Sequence, residues 1–456
     1  MAEAAGGRRV GLRLARLPFA EPDRAARLLA AEPLCWWDAS GNGPADDVAA
    51  RLIETVARGA DPDGALDALV EMAAAPRGRA LTAALREDEL LGERLLAALG
   101  VSGALSDHLR THPADWRVLL EGQDHTAPEG VASRLAAAVQ ADVADPVSGT
   151  AGTRARLTGP AAVEALRAAY RRELIAIAGR DLAGELPLEQ VMARLADLAG
   201  HTLQAALAVA AAGLGDDAAP CRLTIIAMGK AGGRELNYVS DVDVVFVAEP
   251  GERDGDGADE RGLATATALA GETMRICHAV AWEVDAGLRP EGKDGALVRT
   301  VASHEAYYRR WASTWEFQAL LKARPVAGDR ELGQRYLAAI APFVWTAAER
   351  PGFVADVQAM RRRVLANVPA AIADREVKLG PGGLRDVEFA VQLLQLVHGR
   401  GDDSLRVVPT LEALAALRDG GYIGREDAGA LIEAYGFLRR VEHRLQLRKL
   451  RRTHLV

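Results

Sequence analysis

The segment SDVDVVFV, which begins at Ser240, places two aspartates among valines in a chain whose other long segments are helical in pattern. Valine favours strands and aspartate is depleted from them, so the combination is unusual for a purely structural strand. Because successive side chains of a strand point to opposite faces, Asp241 and Asp243 share one face, while Val242 and Val244 pack into a core on the other. The strand is therefore predicted to present two carboxylates about 6.6 Å apart along its axis.

Three further short segments, rich in aliphatic residues, are predicted to complete a small sheet. Asp285 lies in one of them, on the polar face of that strand. If this strand is a neighbour of the first, Asp285 joins the other two carboxylates in one cluster. The predicted strands cover residues 223–228, 240–247, 282–288 and 296–300.

The rest of the 456-residue chain is predicted to be helical, because alanine and leucine are abundant and apolar residues recur at helical spacing. A chain of this length exceeds what one hydrophobic core usually fills. We expect a mostly helical α+β protein with three regions. These are an amino-terminal helical region at 1–160, a region with the sheet at 161–326 and a helical bundle at 327–456.

Composition excludes several functional classes. The formal net charge of −8 argues against broad nucleic-acid binding, and the three cysteines show no metal-ligand spacing. No apolar run reaches the roughly 20 residues of a membrane span, and the amino terminus is too interrupted by charge for a signal peptide. The acidic, glycine-rich run at 249–262 is predicted to be a solvated connection. We expect a cytoplasmic protein that binds neither membranes nor nucleic acid.

The carboxylate cluster indicates a metal site. Two carboxylates about 5 Å apart repel by roughly 3 kcal/mol at an effective dielectric of about 20, so either a proton is shared or a cation lies between them. Ligands that are all oxygen favour Mg²⁺, whose remaining ligands are usually phosphate and water. The cluster therefore points to phosphoryl or nucleotidyl transfer. The alternative is that the aspartates are simply exposed on an edge strand.

A glycine-rich turn, MGKAGGR, follows the first predicted strand. Glycines there allow close approach of a ligand to the backbone, and free amides can bind phosphate oxygens. The candidate nucleotide-binding residues are Gly229, Lys230, Gly232, Gly233 and, at the start of the next strand, Ser240. Lys230 either contacts phosphate or is a solvent-facing turn lysine. The chain contains no P-loop motif, so this turn is of another kind.

A hydrophobic strand and glycine turn, then Asp-hydrophobic-Asp and a third strand aspartate, resemble the pattern of the DNA-polymerase-β-like nucleotidyltransferase superfamily. Within it, the chain closely resembles the bacterial glutamine synthetase adenylyltransferases, whose members also remove the adenylyl group. The resemblance extends from about residue 80 to 456. Its main motifs are AMGKAGGRELNYVSDVDVVFV, EVDAGLRPEG, WEFQALLKARPVAGD and VKLGPGGLRDVEFAVQLLQLVHG.

The resemblance implies a polymerase-β-like core flanked by helical regions, with catalytic and metal-binding Asp241, Asp243 and Asp285 holding two Mg²⁺ ions. Family members have two similar halves, and LNYVSDVD is more like the first half, which removes AMP. The chain is thus expected to be an amino-terminal fragment that phosphorolyses AMP-tyrosine on adenylylated glutamine synthetase, giving ADP. The alternatives are ATP-dependent adenylylation of the same tyrosine, or a non-catalytic docking module. A PII-type signal protein is a further expected partner.

Two cations outside the strands are candidate substrate ligands. Arg289 shares a face with Asp285 by strand alternation, so it is predicted to bind a substrate phosphate or to pair with Asp285 itself. Lys322 and Arg324 are predicted to end a helix that begins near Ser303. There Lys322 either binds substrate or complements the helix dipole.

The motif that begins at Gly380 opens another predicted helix. The resemblance suggests that Arg385 and Glu388 face the active-site cleft. The alternative from the residues alone is that Asp386 and Glu388 only favour the helix amino terminus. Farther upstream, Tyr307, Trp311 and Trp315 recur every four residues. We expect this stripe to lie in the bundle core rather than to stack on a nucleotide.

Overall fold

The computed structural model describes most of the chain, and its contacts group into two compact units. Unit 1 comprises Met1–His125, Leu174–Leu186 and Leu447–Leu450, and unit 2 comprises the remaining segments. Two predictions fall on residues outside the described ones. The prediction that there is no signal peptide concerns residues 1–13, and the predicted charged loop includes residues 252–256. The division into three regions at 160 and 326 stays a proposal. The described residues are 14–38, 40, 43–76, 78–120, 128–141, 154–214, 218–251 and 257–456.

Unit 1 is built mainly from short helices whose first turns are capped by side chains. Asp46, Asp61 and Asp88 accept hydrogen bonds of 2.8–2.9 Å from the amide three residues on, and Ser102 does the same at 3.3 Å. Such caps satisfy amides that a helix leaves free and set where each helix starts. The elements are α1 (Pro22–Ala30), β1 (Trp37–Asp38), β2 (Gly43–Pro44), α2 (Asp47–Ala57), α3 (Pro62–Ala74), α4 (Gly78–Glu87), α5 (Glu89–Val101) and α6 (Gly103–Thr111).

Two long helices precede the sheet. After α7 (Pro128–Ala138) come α8 (Gly159–Leu182) and α9 (Leu188–Gly213). By length and composition α9 is apolar enough to cross a membrane, although Arg194 and Asp197 interrupt its apolar residues, and 78% of its most apolar window is buried inside the structure. Its apolar residues therefore form the core of unit 2.

The sheet of unit 2 is small and mixed, which confirms the predicted fold class. Its strands run in the order β5-β4-β3-β7, with β6 also paired to β4. β3 is antiparallel to β4 and β7, whereas β5 and β6 are parallel to β4. The strands and intervening helices are β3 (Cys221–Ala227), α10 (Gly229–Gly232), β4 (Val242–Pro250), α11 (Ala258–Val280), β5 (Val284–Asp285), β6 (Val298–Arg299) and, later in the chain, β7 (Arg324–Gly328).

Both faces of β4 are covered, although the alternation of its side chains predicted one core face. Val244 and Val245 point to opposite faces, and both are fully buried. Val245 packs with residues of the helices after the sheet, while the other face meets α11. Within β4 the side chains from Val244 to Ala248 are buried and both ends are partly exposed. Asp243 lies at the first of these ends, and Asp241 immediately precedes the strand.

The segment after the sheet differs from its prediction. The single helix expected from Ser303 is two helices, α12 (Val301–Arg310) and α13 (Thr314–Leu320), because Ser313 and Glu316 form a capping box that starts a new helix. Arg324 therefore does not end a helix but begins β7, a strand that the sequence analysis missed. Lys322 lies in the turn between α13 and β7.

The remaining helices contribute to two cores, and the bundle expected at 327–456 stays a prediction. α14 packs with strands of the sheet, whereas buried leucines and valines of α16 and α17 pack around Tyr435 of α18, which is fully buried. The helices are α14 (Arg330–Trp345), α15 (Phe353–Ala366), α16 (Leu384–His398), α17 (Thr410–Asp419) and α18 (Arg425–Lys449).

Asp329 joins β3 to α14, and its removal should destabilise the fold. Its carboxylate receives Arg222 at 2.6 Å and caps α14 through the amide of Leu332 at 2.8 Å. We expect Asp329→Ala to lower the free energy of unfolding by about 2–3 kcal/mol at pH 7, from a lost cap and a half-buried ion pair. These bonds lower the pKa of Asp329, so the stability that they contribute is present above pH ~4 and is lost as the pH falls further. Urea unfolding at pH 7 and pH 3 measures both effects, and an equal loss at the two pH values would contradict this account.

Candidate active site

The structure brings Asp241, Asp243 and Asp285 together. β5 is parallel to β4 with Asp243 directly opposite Asp285, and Asp241 lies two residues before Asp243. One oxygen of each carboxylate can be chosen so that all three lie within 4.8 Å of one another, and each residue is half-buried. The cluster was predicted on the condition that the two strands are neighbours, and the pairing of β4 with β5 meets that condition.

The glycine turn lies directly against the cluster. Gly229 has a φ of 51°, and a β-carbon at this position would collide with the Asp243 carboxylate. The Met228 amide also donates a 2.8 Å hydrogen bond to the Asp243 carbonyl. Gly232 is equally confined, because a β-carbon there would overlap the backbone oxygens of Lys322 and Ala227. The turn can therefore be built only from residues without side chains at these two positions.

Arg324 holds the same turn from behind. Its guanidinium donates to the carbonyl oxygens of Ala231 at 2.8 Å and Gly232 at 3.1 Å. These bonds fix the carbonyls of the turn. The amides of Gly232 and Gly233 are used within it, since they donate to the carbonyls of Met228 at 2.8 Å and Gly229 at 2.9 Å. Gly233 follows the turn, close to the carboxylate of Glu235.

The three carboxylates have different proton affinities. Burial raises the pKa of Asp243 to about 6, and the neighbouring charges of Asp241 and Asp285 add to this effect. Burial also opposes ionisation of Asp241, but Arg452, Lys230 and Lys378 outweigh it and lower the pKa of that carboxyl. The cluster is thus short of positive charge at Asp243, which is what a bound cation would supply.

Lys230 is a half-buried residue next to the cluster rather than a solvated turn lysine. Burial lowers the pKa of its ammonium to about 7, and the charge of Lys378 lowers it further, while Glu442 and Asp241 act in the opposite direction. An anion bound next to this lysine would stabilise its charged ammonium form. Its predicted contact with a substrate phosphate remains a prediction.

Ser240 and Arg452 both contact Asp241. The Ser240 hydroxyl donates to Oδ1 of Asp241 at 3.3 Å, and Nη1 of Arg452 donates to Oδ2 at 2.8 Å. Ser240 therefore positions a carboxylate in this structure. The sequence analysis missed Arg452, since no pattern links it to a residue 211 positions earlier.

Arg289 is engaged in its own loop. The strand ends at Asp285, so the alternation that placed Arg289 on the same face does not apply. Its guanidinium donates to three backbone carbonyls, those of Ala286 at 2.8 Å, Lys293 at 3.0 Å and Gly295 at 3.1 Å. These bonds hold the loop after Asp285 in shape, and the predicted pairing with Asp285 is not formed.

Lys322 is buried rather than exposed at a helix end. Its ammonium donates to Oε1 of Glu235 at 2.5 Å, to the Val408 carbonyl at 2.5 Å and to the Thr410 hydroxyl at 3.2 Å. All three of its donors are thus used within the protein. The helix-dipole alternative is wrong, because no helix ends at this residue.

Arg385 and Glu388 pair with each other in the first turn of α16, at 3.0 Å. Glu388 is nearly buried, and the Tyr435 hydroxyl lies 3.5 Å from its other oxygen. Asp386 receives Arg361 at 2.5 Å and the Gly382 amide at 2.7 Å, so it stabilises the helix start as expected. That Arg385 and Glu388 face a substrate remains a prediction.

The donor set fits a hard divalent cation. The cluster offers only carboxylate oxygens, and the pKa of Asp243 is raised despite the nearby positive charges of Lys230 and Lys378. Magnesium prefers oxygen ligands and takes part of its shell from phosphates. Such an arrangement can bind a metal–phosphate group and orient it for nucleotidyl transfer.

Comparison with known proteins is consistent with this chemistry. A model of the glutamate-ammonia ligase adenylyltransferase family matches residues 92–339, and one described as GlnD PII-uridylyltransferase matches residues 355–456. The chain is 54% identical to a protein from Streptomyces avermitilis, 51% to one from Streptomyces coelicolor and 49% to one from Mycobacterium avium. Each is named bifunctional glutamine synthetase adenylyltransferase/adenylyl-removing enzyme. Each alignment covers 97% of this chain but 42% of the relative, so the chain spans less than half their length.

Replacing Asp243 by asparagine should stabilise the metal-free protein at high pH. Its folded-state pKa of about 6 lies above the unfolded value of about 3.9, so ionisation of this carboxyl weakens the fold once the pH exceeds that range. We expect Asp243→Asn to raise the free energy of unfolding in EDTA by about 2 kcal/mol at pH 8 and to leave it nearly unchanged at pH 4. Mg²⁺ should stabilise the wild type more than the variant. A large loss of stability in EDTA would show that Asp243 is structural instead.

Lys322→Met should act on stability more than on substrate binding. The substitution leaves Glu235 buried without its ionic partner, which costs about 3–5 kcal/mol. The double variant Glu235→Gln/Lys322→Met should recover part of this loss, because no lone charge remains. Urea unfolding of the single and double variants measures this loss of unfolding free energy and its recovery. Unchanged stability with a raised KM would instead assign Lys322 to the substrate.

Proposed function

The chain belongs to the glutamate-ammonia ligase adenylyltransferase family, and from this premise we propose that it removes AMP from a tyrosine of adenylylated glutamine synthetase. Inorganic phosphate is the acceptor, and the products are ADP and unmodified tyrosine. The observation that carries the proposal is the cluster of Asp241, Asp243 and Asp285, with a glycine turn whose Gly229 lies directly against the Asp243 carboxylate. Adenylyl transfer to or from a protein needs both parts, one to hold metal ions and one to receive phosphate oxygens.

The three aspartates are the proposed ligands of two Mg²⁺ ions, which when bound would neutralise the phosphate oxygens and the charge that develops on the leaving oxygen. Asp243 and Asp285 face each other across paired strands, so their spacing is rigid. Asp241 is held by Ser240 and Arg452. Rigid placement of this kind allows the reacting oxygens to be held in line.

In the proposed reaction an oxygen of inorganic phosphate attacks the α-phosphorus of the AMP group. A new P–O bond forms, the bond from phosphorus to the tyrosyl oxygen breaks, and that oxygen takes up a proton. The phenol has a pKa near about 10, so it leaves readily as the phenolate without a dedicated acid. The proposed ligands of the incoming phosphate are Lys230 and the backbone of the glycine turn at Gly229, ahead of the Gly232 and Gly233 amides that are bonded within the turn.

The forward reaction, adenylylation of the same tyrosine by ATP, is the second candidate. The relatives' names include both activities, and a cluster of three carboxylates serves either direction. The sequence LNYVSDVD favours removal of AMP, because it is more like the first half of the family members. A docking module without catalysis is disfavoured, because a scaffold gains nothing from a cluster that raises the pKa of Asp243.

Partners and location are part of the same proposal. Adenylylated glutamine synthetase, phosphate and ADP or ATP are the proposed substrates and products, and a PII-type protein is a proposed regulator. A cytoplasmic location, regulation of nitrogen metabolism and the absence of nucleic-acid or membrane binding belong to it as well.

The products of the reaction test the proposal. The purified chain is incubated with glutamine synthetase labelled on its AMP group, with Mg²⁺, and with or without phosphate. We expect label to be released only when phosphate is present and to be recovered as ADP. Asp241→Asn and Asp243→Asn should each reduce the rate at least about 100-fold, since each removes a metal ligand.

The other outcomes separate the alternatives. Recovery of label as AMP would indicate hydrolysis, and incorporation of label from ATP into unmodified synthetase would indicate the forward enzyme. No transfer in either direction, with both variants equal to the wild type, would rule out the proposed site.

A further inference from the structure

Two tryptophans that were expected in a core are exposed on unit 2. Trp311 is 75% exposed and Trp315 is 36% exposed, so the predicted core stripe is wrong. The reason is that the stripe does not lie on one helix. Trp311 caps the end of α12, and Trp315 belongs to the first turn of α13. Only Tyr307, one turn earlier, packs against the core.

The exposed tryptophans have apolar and basic neighbours. Val354, 45% exposed, opens α15 two residues before Asp356, which accepts a 2.9 Å hydrogen bond from Thr314 beside Trp315. Arg309 and Arg310 end α12 and are exposed. We call these five residues the tryptophan patch: Arg309, Arg310, Trp311, Trp315 and Val354.

The exposed charges of the patch and its neighbours are two positive and one negative. Arg309 and Arg310 are exposed, and Asp356 is an exposed carboxylate that keeps its charge, because its hydrogen bond comes from the neutral Thr314 hydroxyl. Glu305, one turn before Arg309, is half-buried, and Glu316 is buried in the capping box. The exposed excess of positive charge, on a chain of net charge −8, suits an acidic partner surface.

The patch is connected to the loop that follows Asp285. Tyr307, one turn before Trp311, lies under the guanidinium of Arg299, at 6.0 Å from the ring centroid. Arg299 in turn pairs with Glu291 of that loop. Leu288 of the same loop packs on the core cluster that includes Tyr307. The helix that ends at Trp311 therefore packs against the loop that follows Asp285.

From these features we propose that the tryptophan patch binds the protein substrate, at an acidic region of adenylylated glutamine synthetase. This inference rests on the proposed function. Exposed tryptophans beside arginines are the composition of binding hot spots, and monomers rarely expose such residues together. The reacting group is a tyrosine on a protein, so the enzyme needs a protein-binding surface near its metal site. A tryptophan exposed over three quarters of its surface offers no enclosed pocket for a nucleotide base.

The test measures binding separately from catalysis. All proteins carry Asp243→Asn so that no turnover occurs, and their affinity for immobilised adenylylated glutamine synthetase is measured at two salt concentrations. Trp311→Ser and Trp315→Ser should each raise the Kd at least about tenfold. Arg310→Glu should also weaken binding, most strongly at low salt. Phe437→Ser, on α18, is the matched control, because Phe437 is an exposed aromatic residue (59%) outside the patch, and its Kd should be unchanged.

A second measurement distinguishes docking from chemistry. In the catalytically intact background, Trp311→Ser and Trp315→Ser should release AMP label from a short adenylylated tyrosine peptide at the wild-type rate, while KM for the whole synthetase rises. If the wild type binds the synthetase through the patch but turns over neither substrate, the proposed surface is supported and the proposed function is overturned.

Three results would overturn the proposed surface. The first is an unchanged Kd in both tryptophan variants. The second is an equal loss of peptide turnover, which would mean that the patch supports the site itself. The third is loss of self-association in the variants, measured by sedimentation, with unchanged affinity for the synthetase, which would assign the patch to a second copy of the chain.

Discussion

The mutual repulsion of Asp241, Asp243 and Asp285 is the constraint on which the rest of unit 2 depends. Three carboxylates within 4.8 Å of one another weaken any fold that contains them, and the raised pKa of Asp243 is the direct sign of that cost. The parallel register of β4 and β5 forces the contact by placing Asp243 opposite Asp285. Because both faces of β4 are buried beyond its first residues, the strand cannot shift to separate them. The cluster is therefore kept for its chemistry and is stabilised by what surrounds it.

A buried charge network ties the glycine turn to the helical bundle. Glu235 lies just after the turn and receives Lys322 at 2.5 Å, the Thr410 amide at 2.9 Å and the Tyr435 hydroxyl at 3.3 Å. The backbone carbonyl of Lys322 lies against Gly232 and leaves no room for a side chain at Gly232. Burying such a pair is costly unless its remaining bonds are made, and here they are. The network thus couples the shape of the turn to residues of the bundle far along the chain.

Sequence analysis succeeded where local chemistry decides structure. The alternation of SDVDVVFV identified β4 and its two carboxylates, and the glycine turn followed from residues that tolerate close approach. It failed where a residue's surroundings come from distant parts of the chain. β7 was missed because RPVAG has weak strand character and is held in place by pairing with β3. The tryptophan stripe was misplaced because one capping box divides a helix whose periodicity looked continuous.

The sequence by itself determined the type of chemistry, since aspartates at alternate positions of a valine-rich strand beside a glycine turn depend only on local geometry. It also determined the fold class, because the spacing of apolar residues is local as well. The tertiary structure alone decided which charges meet. Lys322 became a buried partner of Glu235, Arg289 a support for its own loop, and Arg452 a partner of Asp241 from 211 residues away. The physical reason is that electrostatic interactions depend on distance in space and on burial, and neither follows from separation along the chain.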